Sequence, residues 1–174
     1  FVIRSKTGAV TSTKTLAKGK IFLPAIARSN FLIGIAWMEQ IGGSTEVKGM
    51  ISTDGGINFG EPVTFGTGSG VSLAASGNNV VAVWHNEASP GIMFSKYNGN
   101  TWSTASRIDN SSGTPLWASV AMDGDKIYVS WRDNRNGNYN IWLRRYENDR
   151  WEAEQNVTIT QSGDPDICVV GTQV

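Results

Sequence analysis

Three clusters of polar side chains recur at a fixed interval in this 174-residue chain. Each cluster follows a tryptophan, and the tryptophans are 47 residues apart: Trp37, Trp84 and Trp131. The polar residues that follow them are Glu39, His85, Glu87, Arg132, Asp133 and Arg135. Carboxylate, imidazole and guanidinium groups can hydrogen-bond a polar ligand, and an indole offers it a flat apolar face. We therefore take these residues, together with Trp117, as candidate ligand-binding residues, with ordinary solvated loop residues as the alternative.

A second pattern repeats in the same phase, so the elements that position these clusters are themselves repeated. Short strings of small and apolar residues begin 47 residues apart at Ala25–Ala27, Ser72–Ala74, Ser119–Ala121 and Asp166–Cys168. Two independent landmarks in one phase make coincidence a poor explanation. A repeat of about 40–50 residues built from short strands is typical of a β-propeller blade.

Each repeat unit has the pattern of four short strands. The second strand is predicted over Ile33–Trp37, Val80–Trp84 and Ile127–Trp131. These segments are almost continuously apolar and rich in β-branched residues, which is typical of strands buried on both faces. The sequence therefore predicts an all-β fold: a β-propeller with blades of four antiparallel strands, a repeat of about 47 residues and about 3.7 blades.

The repeat predicts a single partial propeller domain over residues 1–174. Its units are approximately 1–16 (the end of a blade), 24–65, 71–108, 118–157 and 165–174 (the start of a blade). The first unit is inferred from Ser5 and Gly8, which precede Ser52 and Gly55 by the same 47 residues.

The number of units bears on assembly, because propellers usually have about 4–8 blades. We expect either a piece of a longer propeller or two chains that close one ring, and a four-bladed ring with an incomplete blade is a further alternative. An open arc leaves a strand edge and an apolar sheet face in water. We therefore expect self-association or membership of a longer propeller.

The segment from Ser52 to Phe59 has the form S-x-D-G-G-x-x-F. Through Ser52, Asp54, Gly55, Gly56 and Phe59 it resembles the Asp-box of the BNR-repeat, sialidase-like β-propeller superfamily. In such a turn the Asp accepts hydrogen bonds from backbone amides, the glycines allow positive φ, and the aromatic ring fills the blade. These five residues are therefore expected to be structural.

The resemblance implies that ligands bind opposite the Asp-box, where loops after the second and fourth strands ring a central channel. Ile21–Ala25 resembles a sialidase motif whose Arg helps to grip the substrate carboxylate. Phe22 occupies that Arg position, and an apolar ring cannot replace a bidentate guanidinium. The family's Tyr nucleophile with its Glu partner has no evident counterpart, since Tyr139 lies on a suitable loop without one.

These residues predict a non-catalytic, sialidase-like propeller segment that binds glycans or serves as a recognition scaffold. Trp117 would stack on a sugar ring, while Arg132 and Asp133 would hydrogen-bond its hydroxyls. The alternative is a fragment of a sialidase-type glycoside hydrolase. No residue of this chain is assigned a catalytic role.

Composition narrows the range of partners. Fifteen basic and fifteen acidic residues cancel, so the chain lacks the positive charge that nucleic acid or an anionic membrane would favour. His85 is the only histidine, and Asp133–Asn140 lacks the alternating carboxylates of a calcium loop, so we expect no metal and no other cofactor. Cys168 is the single cysteine, and we expect its side chain to fill an inner strand. Since one cysteine cannot form an internal disulfide, it does not indicate whether the protein occupies an oxidising or a reducing compartment. The same Asn-rich loop resembles loops of secreted bacterial proteins, which makes a secreted or cell-surface location one alternative.

Overall fold

The structure is a computed structural model that describes residues 2–4 and 10–169, with side chains described over residues 13–169. These described residues contain strands and no helix, so none of them forms a helix able to cross a membrane. The strands are β1 (Val2–Arg4), β2 (Val10–Thr13), β3 (Ile21–Ser29), β4 (Leu32–Ile41), β5 (Ser44–Ser52), β6 (Val63–Thr67), β7 (Ser69–Ser76), β8 (Asn79–Asn86), β9 (Gly91–Tyr97), β10 (Ser106–Arg107), β11 (Leu116–Asp123), β12 (Lys126–Asp133), β13 (Asn140–Glu147), β14 (Arg150–Trp151) and β15 (Gln155–Asn156).

The strands from β3 onward form three antiparallel sheets. β3–β6 make the first sheet, β7–β10 the second, and β11–β14 the third, in which β15 also pairs with β13. Consecutive strands from β3 to β6, from β7 to β10 and from β11 to β14 are neighbours in their sheets. The predicted all-β fold of four-stranded antiparallel sheets is confirmed. β1 and β2 form a separate pair, while Ser5 and Gly8 lie outside the described residues.

The three repeated tryptophans occupy equivalent places in the three sheets. Trp37, Trp84 and Trp131 lie in the second strand of their sheets, β4, β8 and β12, and all three are buried. These second strands are buried on both faces over most of their length, as their continuous apolar sequence predicts. The 47-residue interval is therefore the distance between equivalent points of successive sheets.

The sheets stack face to face through apolar cores. Phe65 of the first sheet stacks on Trp84 of the second, with ring centroids 5.5 Å apart. Between the second and third sheets, Phe94 packs with Val129 and Trp131 in one buried cluster. Each sheet thus covers an apolar face of the next, which removes that face from water.

The first strands of the sheets lie side by side, since β7 contacts both β3 and β11. Ser72 Oγ accepts a hydrogen bond from the Val120 amide at 3.3 Å, and one repeat later Ser119 Oγ accepts one from the Ile167 amide at 3.3 Å. Serine hydroxyls at equivalent positions therefore link successive repeats.

The last predicted unit, 165–174, lies partly outside the described residues. Residues 165–169 run beside β11 without forming a strand of their own. Cys168 is exposed, so the expectation that its side chain fills an inner strand is wrong. With no strand formed at this position, no sheet encloses the thiol.

The Asp-box segment forms a turn that is closed by its own side chains. Ser52 Oγ donates to Asp54 Oδ1 and accepts from the Gly56 amide, both at 2.8 Å. Asp54 Oδ1 also accepts from the Asn58 amide at 2.8 Å. Gly55 and Gly56 have φ of 73° and 93°, a conformation that favours glycine.

The Asp-box turn lies at the same end of the first sheet as the turn between β3 and β4. The Gly55 amide donates to the Phe31 carbonyl, which belongs to that turn, at 2.8 Å. Phe59 is partly buried.

The pKa of the Asp54 carboxyl is lowered, mainly because the carboxylate accepts the hydrogen bond from the Asn58 amide.

We expect Asp54→Ala to lower the melting temperature without changing ligand binding. Because the pKa of Asp54 is lower in the folded protein, its contribution is present above about pH 3.9 and is lost as the pH falls through the folded pKa. Thermal melts at neutral and acidic pH should therefore show that the variant and the wild type differ less in melting temperature at acidic pH. Asp123→Ala, at the end of β11, is the matched control. Equal melting temperatures at neutral pH would contradict the structural role.

Candidate functional site

The first strand of each sheet carries an irregularity near its start. The register shifts between Phe22 and Ala25 in β3, between Ser69 and Ser72 in β7, and between Leu116 and Ser119 in β11. Each irregularity contains one residue with positive φ, and these residues are spaced by the 47-residue repeat: Leu23 (45°), Gly70 (66°) and Trp117 (52°). The repeat therefore encodes a bulge that points an equivalent residue out of each first strand.

The bulges surround a cavity of about 310 Å³, which we call the mouth pocket. Four successive repeats each contribute two adjacent residues to its lining: Leu23 and Pro24, Gly70 and Val71, Trp117 and Ala118, and Asp164 and Pro165. Equivalent residues of four repeats therefore meet at the mouth pocket.

The polar clusters predicted from the sequence lie at the bulged end of the sheets. Strand pairing sets Glu39 opposite Ile21 and His85 opposite Ser69. In the third sheet it sets Arg132 opposite Leu116. This end is opposite the Asp-box turn, because Ser52 pairs with Ile33 at the other end of β4.

Trp117 is the large aromatic side chain of the mouth pocket, and it is 38% exposed. Its φ of 52° is unusual for a bulky residue, whereas the equivalent position in the second sheet is a glycine. Strain of this kind, on the order of 1–3 kcal/mol, persists only where surrounding structure enforces it, and it concentrates at functional sites.

His85 supports the indole of Trp117. The two rings meet edge to face, with centroids 6.0 Å apart and planes at 64°. The Gly70 backbone passes close by, since a Cβ there would lie 3.2 Å from His85 Nδ1 and 3.5 Å from the Trp117 ring. A Cβ at position 70 would therefore require His85 to move by a few tenths of an ångström, and the φ of 66° also favours glycine there.

A chain of hydrogen bonds orients His85. Ser69 Oγ donates to Glu87 Oε1 at 2.6 Å and lies 2.7 Å from His85 Nε2. Because the only proton of the hydroxyl goes to Glu87, His85 Nε2 must donate to Ser69 Oγ. A serine that donates to a carboxylate and accepts from an imidazole is not activated as a nucleophile, so these three residues do not form a hydrolase triad.

His85 should also make stability depend on pH. The residue is 6% exposed. Burial lowers the pKa of His85, and the nearby Glu87 acts in the opposite direction. As the pH falls, the unfolded chain binds a proton at His85 before the folded chain does. The stability contributed by the neutral His85 side chain is therefore fully present above about pH 6.5, and it is lost as the pH falls through the folded pKa of His85.

We expect His85→Gln to reduce this dependence. Urea denaturation at intervals between pH 7 and pH 5 should give a steeper loss of unfolding free energy for the wild type than for the variant. Both proteins keep the same carboxyl groups, so the difference between the curves isolates the imidazole. Parallel curves for the two proteins would contradict the conclusion that His85 causes the pH dependence.

Arg132 reaches the mouth pocket through Asp164. Arg132 Nη1 lies 2.8 Å from Asp164 Oδ1. The guanidinium also stacks over the Tyr139 ring, 4.8 Å from its centroid. The pair thus presents a carboxylate with a fixed orientation to the pocket, and Asp164 remains largely exposed.

Asp133 and Arg135 do not face the mouth pocket. Asp133 is 0% exposed and accepts from Arg135 Nε at 2.9 Å, Arg135 Nη2 at 2.7 Å and the Arg135 amide at 2.9 Å. Arg135 also binds Glu154 and stacks on Trp142, 4.0 Å from the ring centroid. A buried carboxylate needs such a cation beside it. These contacts hold the β12–β13 loop in place, and the role of both residues as ligand contacts stays a prediction.

Glu39 is also engaged elsewhere, since it pairs with Lys48 at 2.9 Å, and the hydrogen bond to Glu39 raises the pKa of Lys48. The structure thus brings together Trp117, His85 and Glu87, and it joins Arg132 to them through Asp164. Leu23, Gly70 and Asp164 were not among the sequence-based candidates. Counting the 47-residue repeat from Trp117 would have found all three.

Within the described residues, no group of three or more His, Cys, Asp and Glu side chains is arranged to hold a metal ion.

Comparisons with known proteins concern the fold. No protein-family model matches the sequence, and no similar sequence was found among curated proteins. Among solved structures, a sialidase of Trypanosoma rangeli in complex with sialic acid is similar with a TM-score of 0.49 and 11% identity, over 87% of this chain and 32% of that chain. The Hadza microbial sialidase Hz136 is similar with a TM-score of 0.44 and 14% identity, over 74% of this chain and 32% of that chain. The chain therefore spans about a third of the length of these sialidases.

Proposed function

We propose that this chain is a non-catalytic, sialidase-like propeller segment that binds carbohydrate in the mouth pocket. The observation that carries the proposal is the partly exposed Trp117, held at positive φ beside an ion pair. The face of an aromatic ring packs against the apolar C–H face of a sugar, while a few fixed polar groups bind its hydroxyls. Trp117 and Asp164, which both line the mouth pocket, supply these two kinds of contact.

The support for Trp117 favours a binding role over chance exposure. Three features hold the indole in place: the bulge, the His85 ring and the close Gly70 backbone. The positive φ recurs at Leu23 and Gly70, so the contact with the buried His85 is the feature that favours a specific role for Trp117. A rigid aromatic surface loses little conformational entropy when it binds a ligand.

The chain's own residues argue against hydrolysis of sialosides. Phe22 stands where the sialidase motif has its carboxylate-gripping Arg, and the Tyr139 ring is covered by Arg132. The Ser69 hydroxyl is bound by Glu87 and His85. None of these side chains offers an activated nucleophile beside the mouth pocket.

Saturation-transfer NMR with a panel of neutral and acidic mono- and disaccharides tests the proposal. We expect transfer to the ring C–H protons of at least one sugar, because these face the indole. We also expect no turnover of a fluorogenic sialoside. The absence of transfer to every sugar would overturn the binding role, and sialoside hydrolysis that survives purification would favour the hydrolase alternative.

Self-association is a separate prediction of the same fold. The outer face of the first sheet holds an apolar cavity of about 480 Å³, and on this face Ile26 is 61% exposed, whereas the equivalent Val120 is buried between sheets. Since successive sheets pack through this face, we expect a second copy to cover it.

Sedimentation velocity at increasing micromolar concentrations should reveal a dimer or larger species. Ile26→Asp should shift it to the monomer, and Ile159→Asp, at an exposed residue outside this face, is the matched control. A wild-type monomer at all concentrations would contradict the prediction.

A further inference from the structure

We propose that the mouth pocket selects uncharged sugars over sugars that carry a carboxylate. The proposal rests on the proposed carbohydrate binding and names the ligand class of the same pocket. It is based on which charges line the pocket and which of them are already paired.

The charged groups in and beside the mouth pocket are mostly acidic. Asp164 lines it directly, and Asp166 and Glu87 are exposed close to lining residues. Asp166 accepts a hydrogen bond from Ser119 at 2.7 Å, and Glu87 accepts one from Ser69 at 2.6 Å, yet both keep their negative charge toward solvent. A ligand carboxylate would therefore meet like charges.

The nearest cation is already committed. Among the described residues, no Lys or Arg lines the mouth pocket, and Arg132 reaches it only through its 2.8 Å pair with Asp164. Its guanidinium is also stacked on Tyr139 and mostly buried. Because Asp164 already offsets the positive charge of Arg132, the pair as a whole attracts a ligand carboxylate less strongly than a free guanidinium would.

The rest of the lining also disfavours a charged ligand. Leu23, Pro24, Val71, Ala118 and Pro165 are apolar, so a carboxylate placed among them would lose water without gaining a donor. A neutral ring avoids this cost, because its C–H face packs on Trp117 while two adjacent hydroxyls donate to the Asp164 carboxylate. The cavity of about 310 Å³ is at the small end of ligand pockets, ~300–1,000 Å³, which favours a terminal sugar.

Pairs of sugars that differ only at C6 test the selection. The methyl glycosides of glucose and galactose have a neutral CH₂OH group there, and the matching methyl uronosides have a carboxylate. Titration calorimetry in low salt should give at least tenfold weaker binding of the uronoside, and added salt should narrow the ratio because it screens charge. Equal or tighter binding of the uronoside would overturn the inference and leave carbohydrate binding intact. No binding of either member, or of any other sugar, would overturn the proposed function itself.

Asp164→Asn identifies the source of the selection. The change removes the nearest negative charge and frees Arg132, and both effects favour a carboxylate. We expect the affinity ratio to narrow by about fivefold or more, the size of one Coulombic interaction at 4 Å in water. Asp149→Asn, in the exposed β13–β14 turn, is the matched control and should leave the ratio unchanged. An unchanged ratio in Asp164→Asn would contradict the proposal.

Discussion

Replacing Asp133 with alanine is expected to lower the free energy of unfolding by about 3–5 kcal/mol, the usual cost of breaking a buried ion pair. Asp133 is 0% exposed and bonds Arg135 through both carboxylate oxygens. Its removal leaves the Arg135 guanidinium among buried groups with Glu154 as its remaining anion. The loop between β12 and β13 would then lose the contact that closes it.

Urea denaturation followed by circular dichroism measures this effect. Glu147→Ala is the matched control, because its partners Lys126 and Arg145, at 3.0 and 3.5 Å, both lie at the surface. Such exposed pairs contribute about 0–1 kcal/mol. Since Asp133 does not line the mouth pocket, the folded variant should keep its sugar affinity. A loss of stability no larger than that of the control would contradict the buried ion pair.

Replacing Trp117 with glycine is expected to weaken sugar binding by about 30-fold or more, as removal of a central aromatic anchor costs 2 kcal/mol or more. The fold should tolerate this change. Gly70 occupies the equivalent bulge one repeat earlier with φ of 66°, so glycine suits this backbone conformation. The variant therefore separates loss of the indole from loss of structure.

Titration calorimetry with the best-binding neutral sugar measures the affinity, and a thermal melt checks the fold. Leu23→Gly is the matched control, because Leu23 occupies the equivalent bulge in β3 and lines the same pocket without an aromatic ring. Its effect on affinity should be much smaller. Equal affinities of Trp117→Gly and wild type would show that the indole does not contact the sugar.

The fold was predictable because its landmarks are local and repeated. Trp37, Trp84 and Trp131 come from continuous apolar strands, and such strands keep the same place in every sheet. The turn from Ser52 to Phe59 also depends on local contacts, since Ser52 and Asp54 bond groups within four residues. Patterns of this kind need no knowledge of distant contacts.

The candidate site was less predictable because burial depends on distant partners. Asp133 and Arg135 stand in an Asn-rich segment typical of solvated loops, and their burial depends on Glu154, 19 residues beyond Arg135. Asp164 lies in a segment without regular structure, so no local pattern marks it. Only the spacing of one 47-residue repeat links Asp164 to Trp117.

The indole N–H resonances of the seven tryptophans provide the most direct measurement of whether the mouth pocket binds sugar. In a ¹⁵N-labelled protein, the peak that disappears in Trp117→Gly identifies this residue. On titration with a neutral methyl glycoside, we expect that peak to shift and saturate, while the peaks of the buried Trp37, Trp84 and Trp131 stay in place. A sugar that binds without moving the Trp117 peak would contradict the proposed site.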